Sequence, residues 1–279
     1  MVKDRPKCME SKMQKIYEMV GGGRLGDFLH QLYVPKMYYL KYGIKTNLFI
    51  SNIAENYAGD NKFSNGLEKT FEQLKPIILK QDFISDFNID YSNDLKNYLN
   101  LSSWRSSKLL FYHGWTEILI DTFFNKEFEP KNFNILNWEN KNNFFDKSLV
   151  INRSINNRRT SNSNEISLKI IESFPEDKRF FICSEEEQYN EYPHKKLLNL
   201  ILIKDLEDFF TIINSCELYM GNLTGITSIA YALKKNMLCE FGYTDHKSYS
   251  EETKYHNNIS WYFENNIYAN DYIKEKINV

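Results

Sequence analysis

Twice along this chain an apolar run ends in a turn of small residues that leads straight into a helical pattern, and nothing else in the sequence constrains the fold as tightly. In the first instance Ile16 to Val20 reads as a strand and Gly21-Gly22-Gly23-Arg24-Leu25-Gly26-Asp27 as the turn. Phe28 to Tyr42 then reads as a helix, with Leu29, Leu32, Tyr33, Lys36, Tyr39 and Leu40 near helical spacing. A strand over Lys45 to Ser51 closes the unit. In the second instance Glu217 to Met220 is the strand, the turn runs into a helix over Thr227 to Lys235, and Met237 to Phe241 is the next strand. Parallel strands need a crossover of this kind, so the pattern implies parallel sheets covered by helices, an α/β fold.

The rest of the chain keeps that alternation. Asn65 to Leu79 and Ser103 to Phe124 read as helices, the latter with Ser103 as its cap. Strands are expected at Ser148 to Asn152, Arg179 to Cys183 and Asn199 to Ile203, with helices at Glu165 to Ser173 and Leu206 to Asn214. Between the halves, Asn125 to Lys147 is polar and aromatic without a clean period, and reads as a linker containing Pro130 and Trp138. The expectation is two domains, 1–145 and 146–279, each of ordinary domain size.

Composition narrows the function. Of 279 residues 42% are hydrophobic and 26% charged, enough apolar surface for sizeable cores and too much for disorder. The net charge of −2 lacks the basic excess of a dedicated nucleic-acid binder. No run approaches the roughly 18 apolar residues of a membrane span, and the first residues, MVKDRPKCMESKMQ, are charged where a secretion signal is apolar. Cys8, Cys183, Cys216 and Cys239 are scattered, as expected of free thiols in a reducing, cytoplasmic setting. Neither they nor the five histidines have the spacing of a metal site, so no metal is expected.

The candidate chemistry sits at the two turns. Gly21, Gly23 and Gly26 match the glycine spacing of a dinucleotide loop, which would make the chain an NAD(P)-dependent oxidoreductase. That reading asks for an acid at the end of the second strand, and the chain has Ser51-Asn52 there. Asp27 reads either as a cap of the following helix or as a general base at the carboxyl edge of the sheet. His30, one turn on, is the reserve base. At the second turn, the N–H groups of Gly225 to Ser228 and the hydroxyls of Thr224, Thr227 and Ser228 are expected to converge on an anion. No Lys follows as in a P-loop. Arg153, Arg158 and Arg159 follow a strand and suit a diphosphate. Glu240 either meets a ligand hydroxyl or merely ends its strand, and Arg105 either meets an acidic group of a substrate or pairs with a nearby carboxylate.

At these residues the sequence resembles the GT-B glycosyltransferases, closest to the heptosyltransferase-like branch and related small two-domain sugar transferases. Gly23-Arg24-Leu25-Gly26-Asp27-Phe28-Leu29, with Pro35 and Leu40-Lys41, is similar to the N-terminal motif of that branch. Cys216 to Gly225, with Ala230, Ala232-Leu233 and Phe241-Gly242, is similar to its donor-phosphate motif. The resemblance implies two Rossmann-like domains facing across a cleft, the acceptor on the first and a nucleotide-diphosphate sugar on the second. It implies no metal or other cofactor, with Asp27 as the base and Thr224, Gly225 and the following residues as the phosphate seat. A glycan or other hydroxyl compound is the expected acceptor. Leu223, Ile226 and Ser228 stand where the branch has Asp, Pro and His. That leaves the donor sugar open, and keeps a non-catalytic nucleotide-sugar or glycan-binding module as the alternative.

Overall fold

A computed structural model describes residues 18–52, 63–92, 94–107, 114–124, 133–154, 164–240, 256–263 and 266–277. The chain divides into two compact units, Met1–Ser107 and Lys108–Val279. Each unit holds a sheet of its own.

The first unit runs β1 (Glu18–Gly21), α1 (Leu25–Gln31), α2 (Tyr33–Tyr42), β2 (Thr46–Ile50), α3 (Leu67–Ile78), β3 (Ile84–Ile89) and β4 (Leu99–Asn100). Its strands lie in the order β3-β2-β1-β4, every pair parallel. Met19 and Val20 are wholly buried, as a central strand covered on both faces requires. The expected helix over 28–42 begins three residues earlier and breaks at Leu32 into α1 and α2. Phe28, Leu29 and Leu32 form its inner side, and the Phe28 ring meets those of Phe63 and Phe87 at 6.0 and 6.1 Å. Where one helix was expected over 103–124, a 3-10 turn spans Leu101–Ser106 and an α-helix, α4, spans Trp115–Phe124. Asn100, not Ser103, caps the turn: its side chain accepts from the Ser102 N–H at 2.9 Å.

The second unit begins with α4 and continues through β5 (Leu149–Asn152), α5 (Asn164–Glu172), β6 (Arg179–Cys183), α6 (Glu186–Asn190), β7 (Asn199–Leu202), α7 (Leu206–Ser215) and β8 (Leu218–Asn222). It ends with α8 (Gly225–Ala232), β9 (Met237–Glu240), β10 (Ile259–Phe263), β11 (Asn266–Tyr268) and α9 (Asp271–Ile277). The sheet order is β11-β10-β9-β8-β5-β6-β7, parallel except for the edge strand β11. Two separate, largely parallel sheets flanked by helices make both units Rossmann-like.

The sequence places the division near residue 145, and compactness places it between Ser107 and Lys108. Packing gives the reason. Thr116 of α4 shares hydrogen bonds with the Tyr231 hydroxyl and His256 Nε2, both at 3.1 Å. The expected linker is in part core: Ile135, Leu136 and Trp138 are buried, and Trp138 Nε1 donates to Thr211 Oγ1 at 3.1 Å. Among the described residues no helix is long and apolar enough to cross a membrane.

Candidate functional site

Open α/β sheets bind ligands beyond the carboxyl ends of their strands, where the strand order reverses. In the first unit the reversal falls at β1, flanked by β2 and β4. The glycine turn follows β1 directly, and the Leu101–Ser106 turn follows β4. Gly23 has φ of 96°, a region that costs any side chain strain, and Gly26 lies in the first turn of α1. Gly21 serves the interior of the protein: a Cβ there would stand 2.6 Å from Gln31 Oε1. Gln31, wholly buried, pins the loop by accepting from the Gly22 N–H at 3.2 Å and donating to the Gly22 carbonyl at 3.0 Å. Its amide also donates to Ser102 Oγ at 3.2 Å. The close backbone approach that the glycine spacing suggested for a dinucleotide is thus taken at Gly21 by a side chain of the same unit.

Asp27 sits in the first turn of α1, where its Oδ2 accepts from the Arg24 N–H at 3.3 Å. That is the capping contact. The same oxygen lies 2.7 Å from Arg105 Nη2, with each side chain 17% exposed. Both contacts fall on Oδ2. Burial pushes the Asp27 carboxyl above its ordinary value of 3.8, and the charges of Arg105 and Arg24 pull it back in part. His30 is buried beside the core residues Phe28 and Leu29, unlike the partly exposed Asp27.

In the second unit the strand order reverses at β5, flanked by β6 and β8. Both expected anion-facing segments follow strands at that point: Arg153 after β5, and the 223–228 turn after β8. Thr224 caps α8, its Oγ1 accepting from the Thr227 N–H at 3.2 Å, while its carbonyl accepts from the Ser228 N–H at 3.2 Å. Among the described residues this leaves the Gly225 and Ile226 N–H groups as the orphan donors of the helix start.

The hydroxyls do not converge as the sequence suggested. Thr227 is buried and donates to the Asn222 carbonyl, with the Tyr219 hydroxyl 3.0 Å away. Ser228 Oγ, in a buried residue, donates to the Thr224 carbonyl at 3.3 Å. The cause is local: a hydroxyl on the first helical turn finds backbone acceptors before it finds a ligand.

Two asparagines that the sequence reading did not single out fix the turn. Asn222 accepts from the Ser154 N–H and donates to the Ser154 carbonyl, both at 3.0 Å, imitating a strand pair. Asn152 donates to the Ile182 carbonyl at 2.8 Å and accepts from Thr224 Oγ1 at 3.4 Å. Their only sequence signal was two polar residues closing apolar strands.

Arg153 and Glu240 meet. Nε and Nη2 of the guanidinium lie 2.9 and 3.2 Å from the two carboxylate oxygens, a forked pair between the ends of β5 and β9. The Glu240 side chain is 5% exposed and that of Arg153 22%. The Arg153 fork that the sequence reading offered to a diphosphate is therefore held by Glu240. Arg158 and Arg159 lie outside the described residues.

No protein-family profile matches the sequence, and no curated protein does. Solved structures do match. E. coli heptosyltransferase WaaC with ADP aligns over 81% of this chain and 91% of its own, at 10% identity and a TM-score of 0.50. The dodecameric, iron-containing glycosyltransferase TibC of enterotoxigenic E. coli covers 80% of this chain and 57% of its own, at 10% identity and 0.48. A family 9 glycosyl transferase of Veillonella parvula covers 91% and 88%, at 10% identity and 0.45. The likeness to WaaC shows the fold, that of the GT-B glycosyltransferases.

Within this glycosyltransferase fold the described residues contain no cluster of three or more His, Cys, Asp or Glu able to hold a metal ion. Cys183, Cys216 and Cys239 are free and buried, and burial pushes Cys216 up to about 12 and Cys183 to about 11. Burial thus disfavours the thiolate of both. The phosphate-turn strand tolerates little change. A Cβ at Gly221 would lie 2.5 Å from the Asn152 carbonyl and 2.7 Å from the Tyr219 hydroxyl. Gly221→Ala is expected to cost about 1–3 kcal/mol of stability by overpacking, read as a lower urea midpoint at unchanged m-value.

Proposed function

We propose that this chain transfers a sugar from a nucleotide-diphosphate donor to a hydroxyl acceptor, without a metal and with inversion at the anomeric carbon. The first unit takes the acceptor, a glycan or glycolipid-like hydroxyl compound, and the second takes the nucleotide sugar. What supports this is the chemistry at the two sheet reversals of a glycosyltransferase fold: a carboxylate held through Oδ2 by Arg105 and the Arg24 N–H on one, and the unpaired N–H groups of a helix start on the other. Asp27 Oδ1 removes the proton of the acceptor hydroxyl as its oxygen attacks the anomeric carbon. The bond to the diphosphate breaks, and the helix start at Gly225 and Ile226 stabilises the departing charge. WaaC and TibC were solved with ADP or ADP-heptose, which makes adenosine-diphosphate sugars the first donors to try.

Thermal unfolding against a panel of nucleotide-diphosphate sugars tests the proposal. A donor present at 100 times its dissociation constant is expected to add about 2.7 kcal/mol. The matching nucleoside should add much less, because the helix start binds phosphate. Chelator is expected to change neither the stabilisation nor the release of nucleoside diphosphate. A strict need for manganese or magnesium, or indifference to every nucleotide sugar, counts against it.

A further inference from the structure

Arg105 has a job in the first unit that its charge alone does not describe. Its guanidinium carbon lies 4.3 Å from the centre of the Trp104 ring, and Trp104 itself is buried. The flat cation is therefore held by a fixed aromatic face, with Nη2 on Asp27 Oδ2 at 2.7 Å. The turn that carries Arg105 is itself tied down, by the Asn100 cap at one end and by the Gln31–Ser102 hydrogen bond to α1. Two links thus join α1 to this turn, and one of them ends on the carboxylate.

Building on the reading of Asp27 as the base, we propose that Arg105 is its positioning residue: it binds Oδ2 and so presents Oδ1, ionised, to the acceptor hydroxyl. The division of labour follows from the contacts. Arg105 and the Arg24 N–H both occupy Oδ2, which fixes the rotation of the carboxyl group. Burial works against ionisation at this spot, while Arg105 first and Arg24 second oppose it. His30, on the same helix, is the remaining titratable neighbour in sequence. Lysine would keep the charge but not the flat stack on Trp104 or the fork geometry.

The test follows the Asp27 carboxyl by carbon NMR across a pH series in the full chain, with Asp27→Asn to identify the signal. In Arg105→Gln the titration midpoint is expected to rise by about one to three pH units, the usual effect of a removed opposite charge at this distance. Arg105→Lys should recover most of that shift. With the nucleotide-diphosphate sugar that stabilises best, nucleoside diphosphate release by Arg105→Lys should show a lower kcat at unchanged KM. If Arg105→Gln does not fold, the lysine variant carries the test: unchanged kcat in it overturns the proposal. An unmoved midpoint in a folded Arg105→Gln overturns it too, and makes Arg105 a brace between α1 and the turn. Failure of the base reading shows elsewhere, as full turnover by Asp27→Asn.

Discussion

Asp27→Asn is expected to lose at least a hundredfold in turnover while keeping its fold and its affinity for donor. General-base catalysis by a placed side chain is typically worth about 10²–10⁴-fold, and an amide cannot take the proton. Asparagine is nearly isosteric, and its oxygen can still accept from the Arg24 N–H, so the capping contact survives. The ion pair to Arg105 is lost, but the guanidinium can keep its stack on Trp104 and an amide oxygen as acceptor. Donor binding belongs to the second unit in this scheme and should not change.

The pH dependence gives a second reading of the same residue. Because burial raises the Asp27 carboxyl above 3.8, the acid limb of the wild-type rate should lie at higher pH than an exposed aspartate would give. The native state then binds this proton more readily than the unfolded chain does. Stability should therefore fall as pH rises from 3.8 through the native value, and that contribution should vanish in Asp27→Asn. Urea melts at stepped pH measure it. Full turnover in Asp27→Asn would remove Asp27 from the mechanism and turn attention to His30, whose burial already weighs against it.

The parts of this molecule that were legible in the sequence are those with a short-range signal. β1, the glycine turn and α1 form one contiguous pattern, as do β8, its turn and α8, and both fell at sheet reversals. β3 escaped because Ser85, Asp86 and Asn88 break its apolar run at an exposed sheet edge, where only one face needs to be buried. β10 and β11 escaped because aromatic, mixed-polarity segments carry no clear period. Residues 133–147 looked like a linker for the opposite reason: Ile135, Leu136 and Trp138 anchor a segment without regular structure, so burial there has no period to betray it.

The ion pairs were illegible in a different sense. Asp27, Arg105, Arg153 and Glu240 were each visible as chemistry-bearing residues, but nothing local says which acid faces which base. Arg105 was read as either a substrate contact or a partner of a carboxylate, and only the third dimension chose the second. The same holds for Thr227, whose hydroxyl was free to face a ligand until the helix start supplied a nearer acceptor in the Asn222 carbonyl.

Arg153→Ala is expected to destabilise the second unit by about 3 kcal/mol, the lower end of the cost of stranding one member of a buried ion pair. Glu240 is the reason. Its carboxylate is 5% exposed and both of its oxygens are engaged by Arg153, so the truncated chain keeps a charge that water scarcely reaches. Burial, with Glu240 adding to it, pushes the Tyr192 and Tyr262 hydroxyls up, so both neighbours stay neutral and neither replaces the positive charge of Arg153. The stranded carboxylate should respond by taking a proton, which makes the deficit shrink as the buffer is acidified. Glu240→Gln should cost less, because the Arg153 left behind is 22% exposed and can be hydrated. Arg153→Met combined with Glu240→Leu should recover most of the loss, since buried pairs are often replaced by apolar residues at little cost. Urea unfolding without nucleotide isolates this structural part. A donor affinity that falls in Arg153→Ala under conditions where the variant stays folded would show that the arginine also leaves Glu240 for the diphosphate. Unchanged stability with weakened donor binding would mean that the Arg153–Glu240 fork serves the ligand alone.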